Sequence, residues 1–405
     1  MRMLLLTIAV VSMSLYDFYW LSIGLPVVSI ASGAVFLIST ASFRTGDRDT
    51  TIEASVVGLV CFACVMASTL FRSTESSEIA VKAPLGYAIG LSVAWLALTR
   101  ELTFATALRR AMTATLFLHV SFWAVQAATY ALGGPYLDAT GTLAENPARY
   151  ETYLYTWGYH GPATRFTGLC AEPAEYATLA FMLVSGRLAA NKIVPRWLDY
   201  IAAATMVASL SLTGVAYVAL LSIVVLAYGS TRRRLIAVAV AAAAAVVIPA
   251  IGGVTYVSER AARLDRDSST DVRFVSQWTY ITSRSNENIL FGRGLGAYTW
   301  EIGHGSGVMD VLIYTGVVGA IVFSILAVYG FVKRGIPVGI VGLWFASLAS
   351  APMLTNPWWW LWTASLLVSS QTEKFDRSSR ALPSGPSPPV SLLGPTSLPD
   401  LLRAS

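Results

Sequence analysis

The chain has 405 residues, 55% of them hydrophobic and only 13% charged, with a mean hydropathy of +0.60 and a formal net charge of +5. Soluble domains carry about 25% charged residues, so this balance excludes a soluble multidomain protein, a disulfide-rich secreted chain and a wholly disordered one. The basic residues are scattered over many short loops and form no continuous stripe, so no nucleic-acid partner is expected.

In chain order, apolar runs of roughly 15–23 residues recur between short charged segments, the spacing of helices that cross a lipid bilayer. They predict spans at 3–19, 21–42, 52–71, 83–99, 111–132, 173–190, 198–211, 214–229, 235–257, 307–332, 338–354 and 358–370. The expected fold class is an all-α polytopic membrane protein with about twelve transmembrane helices. Residues 1–370 form the membrane domain, interrupted by two long loops at about 133–172 and 258–306. The run after Arg2 has no convincing cleavage site and reads as an uncleaved first span. Residues 371–405, rich in Ser and Pro, read as a disordered tail.

Cationic short segments at 44–48, 100–110, 187–196, 232–234 and 333–334, with Lys374, Arg377 and Arg380 in the tail, alternate onto one side of this arrangement. Positive charge marks the cytoplasmic side, which puts both termini in the cytoplasm and both long loops outside. The loop 258–306 departs from that bias. It carries Arg260, Arg263, Arg266, Arg273, Arg284 and Arg293 and no lysine. Guanidinium groups fit phosphate with a planar fork of donors, so an anionic substrate at the outer face accounts for them.

Few residues offer chemistry. His119 lies mid-span and suits a helix-interface hydrogen bond, while His160 sits in the first long loop. His304, at the end of the arginine-rich loop and just before a span, is the best-placed general base. Glu172 precedes Pro173 at the start of a span and has two readings: a helix N-cap, or a carboxylate orienting an Arg or a sugar hydroxyl. Arg165 is either an interfacial anchor or a phosphate clamp. Two Asp-x-Asp pairs, Asp47/Asp49 and Asp265/Asp267, mimic a metal-binding motif. The first has no room for a nucleotide domain and the second is neutralised by Arg263 and Arg266, so no metal site is expected. Gly292-Arg-Gly-Leu-Gly296 reads as a flexible turn whose N–H groups can approach a phosphate.

The segment Arg165-Phe-Thr-Gly-Leu-Cys-Ala-Glu-Pro173 resembles the R-x-x-G-x-x-x-E-P signature of the bacterial O-antigen polymerase and O-antigen ligase superfamily. Ser209-Leu-Ser-Leu-Thr-Gly214 resembles its S-L-S-x-[ST] helix end. Arg273 with the glycine turn at 292–296, and then His304, Asp310, Leu312, Gly316 and Gly319, resemble its later elements in the same order. Gly305 stands where the family often has Asn after the histidine.

The resemblance implies a metal-independent glycosyltransferase of the bacterial inner membrane, with its active site facing the periplasm and no cofactor. Its donor is an oligosaccharide carried on undecaprenyl pyrophosphate, held by Arg165 and Arg273 with Arg293 as an extra phosphate contact. His304 becomes the base that activates the acceptor hydroxyl, and Glu172 an orienting carboxylate. A chain-length regulator is the partner implied by the family. Polymerisation of repeat units into O-antigen or exopolysaccharide is the leading expectation, and ligation of finished glycan to lipid A-core or another acceptor is the near alternative. A flippase of the same pathway is a third; transporters keep ionisable groups or broken helices mid-membrane, whereas here Asp17 and His119 are among the few polar candidates in the spans and charge gathers in the outer loop.

Overall fold

The structure, a computed structural model, describes residues 2–15, 27–41, 43, 45–46, 48–72, 77–100, 102–144, 151–156, 159–191, 193–231, 234, 238, 276–283, 286–294, 306–348 and 356–369. The described helices are α1 (Arg2–Ser14), α2 (Val27–Ala41), α3 (Arg48–Arg72), α4 (Ser77–Thr99), α5 (Leu102–Ala131), α6 (Ala139–Ala144), α7 (Pro173–Ala190), α8 (Trp197–Ala208) and α9 (Leu212–Tyr228). After a gap come α10 (Ser276–Thr282), α11 (Asn286–Phe291), α12 (Gly307–Lys333), α13 (Val338–Ser347) and α14 (Pro357–Ser369). Apart from 235–257, each predicted span overlaps one of these helices, with bounds that differ in places. Of the span predicted at 235–257 only residue 238 is described, and the tail at 371–405 lies outside the described residues.

The centre of the assembly is α7, buried on every face from Tyr176 through Leu188. An all-round apolar helix can only be accommodated among others. Around it pack α5, α8, α9, α13 and α14. Four consecutive-turn tryptophans of α14, Trp358, Trp359, Trp360 and Trp362, are buried in this core. Their ring nitrogens need partners when buried. Trp362 Nε1 donates to Ser185 Oγ of α7 at 3.1 Å and Trp359 Nε1 to Ser347 Oγ of α13 at 3.4 Å. On the other side α1 lies against α2 and α5, and His119 Nε2 is 2.9 Å from Ser14 Oγ, a buried hydrogen bond joining α5 to α1.

Among the described residues two helices, α5 and α12, are long and apolar enough to cross a membrane, by length and composition alone. α12 counts 27 residues but is interrupted at Gly316, so its length alone does not fix a crossing. Its outward face supports one. Val318, Ile321, Ile325, Val328 and Val332 recur at three- and four-residue spacing and all are exposed. Such a stripe is the mark of a lipid- or protein-facing surface rather than of one facing water.

The structure corrects the sequence reading in four places. The helix predicted from residue 111 begins nine residues earlier, at Leu102, so Arg109 and Arg110 belong to α5 and not to a loop. Arg187, counted among the loop cations, is buried near the end of α7 and paired with Asp199 of α8 at 2.6 Å. Neither departure changes the end of the helices at which these charges sit. The long loop 133–172 carries structure of its own, the short α6 and an antiparallel hairpin of β1 (Glu151–Thr156) and β2 (Tyr159–Thr164), with Tyr155 opposite His160. The β-favouring Thr152, Tyr153, Tyr155 and Thr156 in β1 suit that extended pairing. Finally, α13 ends at Ser347 with Leu348 as its C-cap, and residues 349–354 of the span predicted at 338–354 lie outside the described residues.

Candidate functional site

The segment from Arg165 to Pro173 is irregular backbone wedged between α5 and α7, and side chains satisfy its polar groups one by one. Gln126, fully buried on α5, accepts from the N–H groups of Thr167 at 3.1 Å and Gly168 at 3.0 Å, and donates through Nε2 to Leu137 O at 2.7 Å. Trp123 Nε1 donates to Phe166 O at 3.2 Å. The Tyr136 hydroxyl donates to Arg165 O at 3.3 Å, accepts from Thr167 N at 3.2 Å and lies 3.0 Å from Thr167 Oγ1. Buried irregular backbone has to find partners for its polar groups, and these three side chains supply them.

Packing then fixes the turn. The Tyr136 ring stacks on Phe166 at 6.3 Å with an interplanar angle of 5°, and Trp123 meets Phe166 edge-on at 5.6 Å. Gly168 has φ +60°, and a Cβ there would stand 2.9 Å from the Tyr176 ring, so both conformation and space demand glycine. Tyr176 is itself held by a 2.7 Å hydrogen bond with Thr205 of α8. At the far end Glu172 is the N-cap of α7, in extended backbone with Pro173 at the first helical position, and its N–H donates to Glu175 Oε2 at 2.9 Å. Glu172 thus occupies the N-cap position of α7, the first of its two readings, and both it and Arg165 are half-buried.

Arg293 belongs to a different construction. Helix α12 breaks at Gly316, whose φ of +67° and ψ of −174° interrupt the i to i−4 ladder. The carbonyls of Ile313 and Tyr314, which lose their helical donors, accept instead from Arg293 N at 2.8 Å and Gly294 N at 3.1 Å. The glycine turn is thus seated on the broken helix rather than hanging free. At Gly292, φ +73°, a Cβ would lie 2.5 Å from Tyr314 O. The Arg293 guanidinium stands 5.0 Å from the Tyr280 ring centroid of α10, a cation–π contact. Two backbone N–H groups expected to approach a phosphate are consequently engaged with α12.

Of the predicted site residues, the structure brings Arg165 and Glu172 onto one braced segment and places Arg293 on the α11–α12 construction. Arg273 and His304 lie outside the described residues, as do Asp47 and the Asp265/Asp267 pair, while Asp49 sits in the first turn of α3. No group of three or more His, Cys, Asp or Glu that could hold a metal occurs among the described residues. Sequence reading passed over Gln126, Trp123 and Tyr136. The available signal was Gln126, a lone amide inside an apolar span, where an unpaired polar group is costly. Compared with models of protein families, with curated proteins and with solved structures, the chain matches none.

Replacing Gln126 with Leu removes the acceptor of the buried Gly168 N–H and leaves Thr167 N–H with the Tyr136 hydroxyl alone, at a cost of about 1–3 kcal/mol. Denaturation of the detergent-solubilised protein measures it, with the exposed Val125→Ala on the same helix as a near-neutral control. Equal midpoints for the two variants would show that Gln126 does not hold the turn.

Proposed function

We propose that this chain is a polytopic inner-membrane glycosyltransferase that joins oligosaccharide units carried on undecaprenyl pyrophosphate, with its active site at the periplasmic face. The observation that carries the reading is the Arg165–Pro173 segment. A motif resembling that of the O-antigen polymerase and ligase superfamily coincides with a turn whose backbone is fastened by Gln126, Trp123 and Tyr136. Such bracing suits a group that must be held still against a charged substrate. The apolar outer stripe of α12 and the hydrophobic composition support embedding in the bilayer.

The chemistry follows from the donor. Its anomeric carbon is already activated by the pyrophosphate, so the protein has to stabilise the departing anion and take a proton from the incoming hydroxyl. Arg165 and Arg273 serve the first task, with Arg293 as a further cation. His304 serves the second. The acceptor oxygen bonds to the anomeric carbon as the bond to the pyrophosphate oxygen breaks, the proton passes to His304, and in-line attack inverts the centre. Neither a metal nor a cofactor takes part. Glu172, capping α7, orients the site.

Polymerisation is the preferred reading over ligation. A transporter of the same pathway is the second reading, and the break of α12 at Gly316 favours it, since discontinuous helices with satisfied backbone line many transport sites. Deleting the gene in its native host and sizing the glycans separates the three. Lipid-linked single repeat units stalled at the outer face are expected. Full-length polymer stranded on the lipid carrier indicates a ligase, and repeat units trapped on the cytoplasmic face indicate a flippase. In complementation, Arg165→Ala is expected to lose polymer at least about tenfold, and Arg165→Lys to recover it only partly because a point charge lacks the fork. Wild-type polymer from Arg165→Ala would remove Arg165 from the site.

A further inference from the structure

Outside the site described above, a cavity of about 50 Å³ opens between the first turns of α5, the last turn of α7 and the end of α14. A water needs ~10–15 Å³ of such space, so the cavity has room for about four water-sized groups, the bulk of one phosphate and too little for a sugar. Arg109, Met112, Gly186, Arg187, Ser365 and Val368 are among the residues that line it, and none of the lining residues is acidic.

The charges in this wall do not cancel. Arg187 is buried, with Nε on Asp199 Oδ1 at 2.6 Å and Nη1 on Thr113 Oγ1, and Asp199 also accepts from Arg196 N at 2.7 Å. That pair is neutral. Arg109 is half-buried in the same wall, with no side-chain partner among the described residues, and leaves the cavity one positive charge in excess. The surrounding end of the molecule is cationic as well. Arg334 caps α12 there and donates to Leu367 O at 3.4 Å, burial lowers its pKa, and Lys333 pairs with Glu53 at 2.6 Å. A guanidinium in a small, partly apolar recess where helices end is suited to a phosphate group and less to a carboxylate, which fills less of it.

We propose that this cavity is a phosphate-binding site in which Arg109 is the principal contact, occupied in the membrane by the head group of an anionic phospholipid. The inference rests on the membrane embedding argued above and is independent of the transferase chemistry. The site lies at the end of the helices that carries the cations, the end that faces an anionic leaflet. It would tie α5, α7 and α14 together at that face.

The test titrates the full detergent-solubilised chain with dihexanoyl phosphatidylglycerol, dihexanoyl phosphatidylcholine and inorganic phosphate, following the shift in thermal unfolding. Saturable stabilisation by phosphatidylglycerol but not phosphatidylcholine is expected. Arg109→Gln should weaken it about tenfold, the loss carried by one charge-assisted hydrogen bond. Arg110→Gln removes the same charge one residue away, outside the cavity, and should leave it unchanged. Saturable binding of inorganic phosphate with the same Arg109 dependence would keep the site and assign it to free phosphate. Equal weakening by the two variants, or no saturable binding of either phosphate source, overturns the proposal. Ala105→Leu fills the cavity with every charge in place and should also abolish binding, so retained binding in that variant overturns it even where Arg109→Gln misfolds.

Discussion

Replacing Asp199 with Ala is expected to destabilise the protein by about 3–5 kcal/mol, which would be a large fraction of the net stability of an ordinary domain. The cause is the buried pair with Arg187. Both side chains are almost inaccessible, and removing the carboxylate leaves a guanidinium buried without its counter-charge. The Arg196 N–H that starts α8 loses its acceptor in the same step. Removing both partners together is different, because a buried pair and an apolar replacement of similar volume are often nearly equivalent. The double variant Arg187→Met with Asp199→Leu should therefore recover most of the loss. Denaturant titration of wild type, both single variants and the double variant forms the cycle. Additive losses, with the double variant the worst of the set, would mean that the two groups do not act as a pair.

Gly316→Ala is expected to cost on the order of 4 kcal/mol. Its φ of +67° and ψ of −174° lie in a region open essentially to glycine, a strain of ~1–3 kcal/mol for any other residue. A Cβ there would also collide with Gly292 N and Leu290 O, and overpacking of this kind adds ~1–3 kcal/mol. Relief requires the glycine turn to leave α12, which exposes the carbonyls of Ile313 and Tyr314 and releases Arg293 from its place against Tyr280. Loss of protection at Arg293 and Gly294 in amide hydrogen exchange is the local readout, beside the lowered unfolding midpoint. Unchanged protection and stability would show that the break in α12 and its docked turn are not a single construction.

The helices were legible where hydropathy alone decides them. α2, α4, α7, α9 and α12 follow apolar runs, because burial or lipid contact dominates each of those segments. Charged residues near helix ends were misread. A hydropathy window opens the fifth span only after the last arginine, but α5 already runs through Arg109 and Arg110, while Arg187 fell inside the predicted span 173–190 and was also counted among the loop cations. The partner that makes Arg187 tolerable, Asp199, lies twelve residues on in another helix and leaves no trace in the local pattern.

The candidate site was legible only in part. Arg165, Gly168, Glu172 and Pro173 stood out as a motif, and the cap at Glu172 was one of the two roles assigned to it. The bracing by Gln126 and Tyr136 is a contact across some thirty to forty residues and is visible only in three dimensions. The glycine turn at 292–294 looked like a phosphate cradle for the same reason. Its actual acceptors are carbonyls freed by a helix break about twenty residues later, and nothing in the turn itself announces them.

Reconstitution of the purified full-length chain in vesicles is the most direct test of the proposed chemistry. The substrate is one synthetic repeat unit on undecaprenyl pyrophosphate, supplied at the outer face without nucleotide sugar, and the products are sized by mass spectrometry. A ladder of lipid-linked oligomers differing by one repeat, with one undecaprenyl pyrophosphate released per bond formed, is the expected result. The ladder should be lost in Arg165→Ala and in His304→Ala. Donor that stays monomeric with the wild-type chain, or that merely changes leaflet, would contradict a polymerising glycosyltransferase.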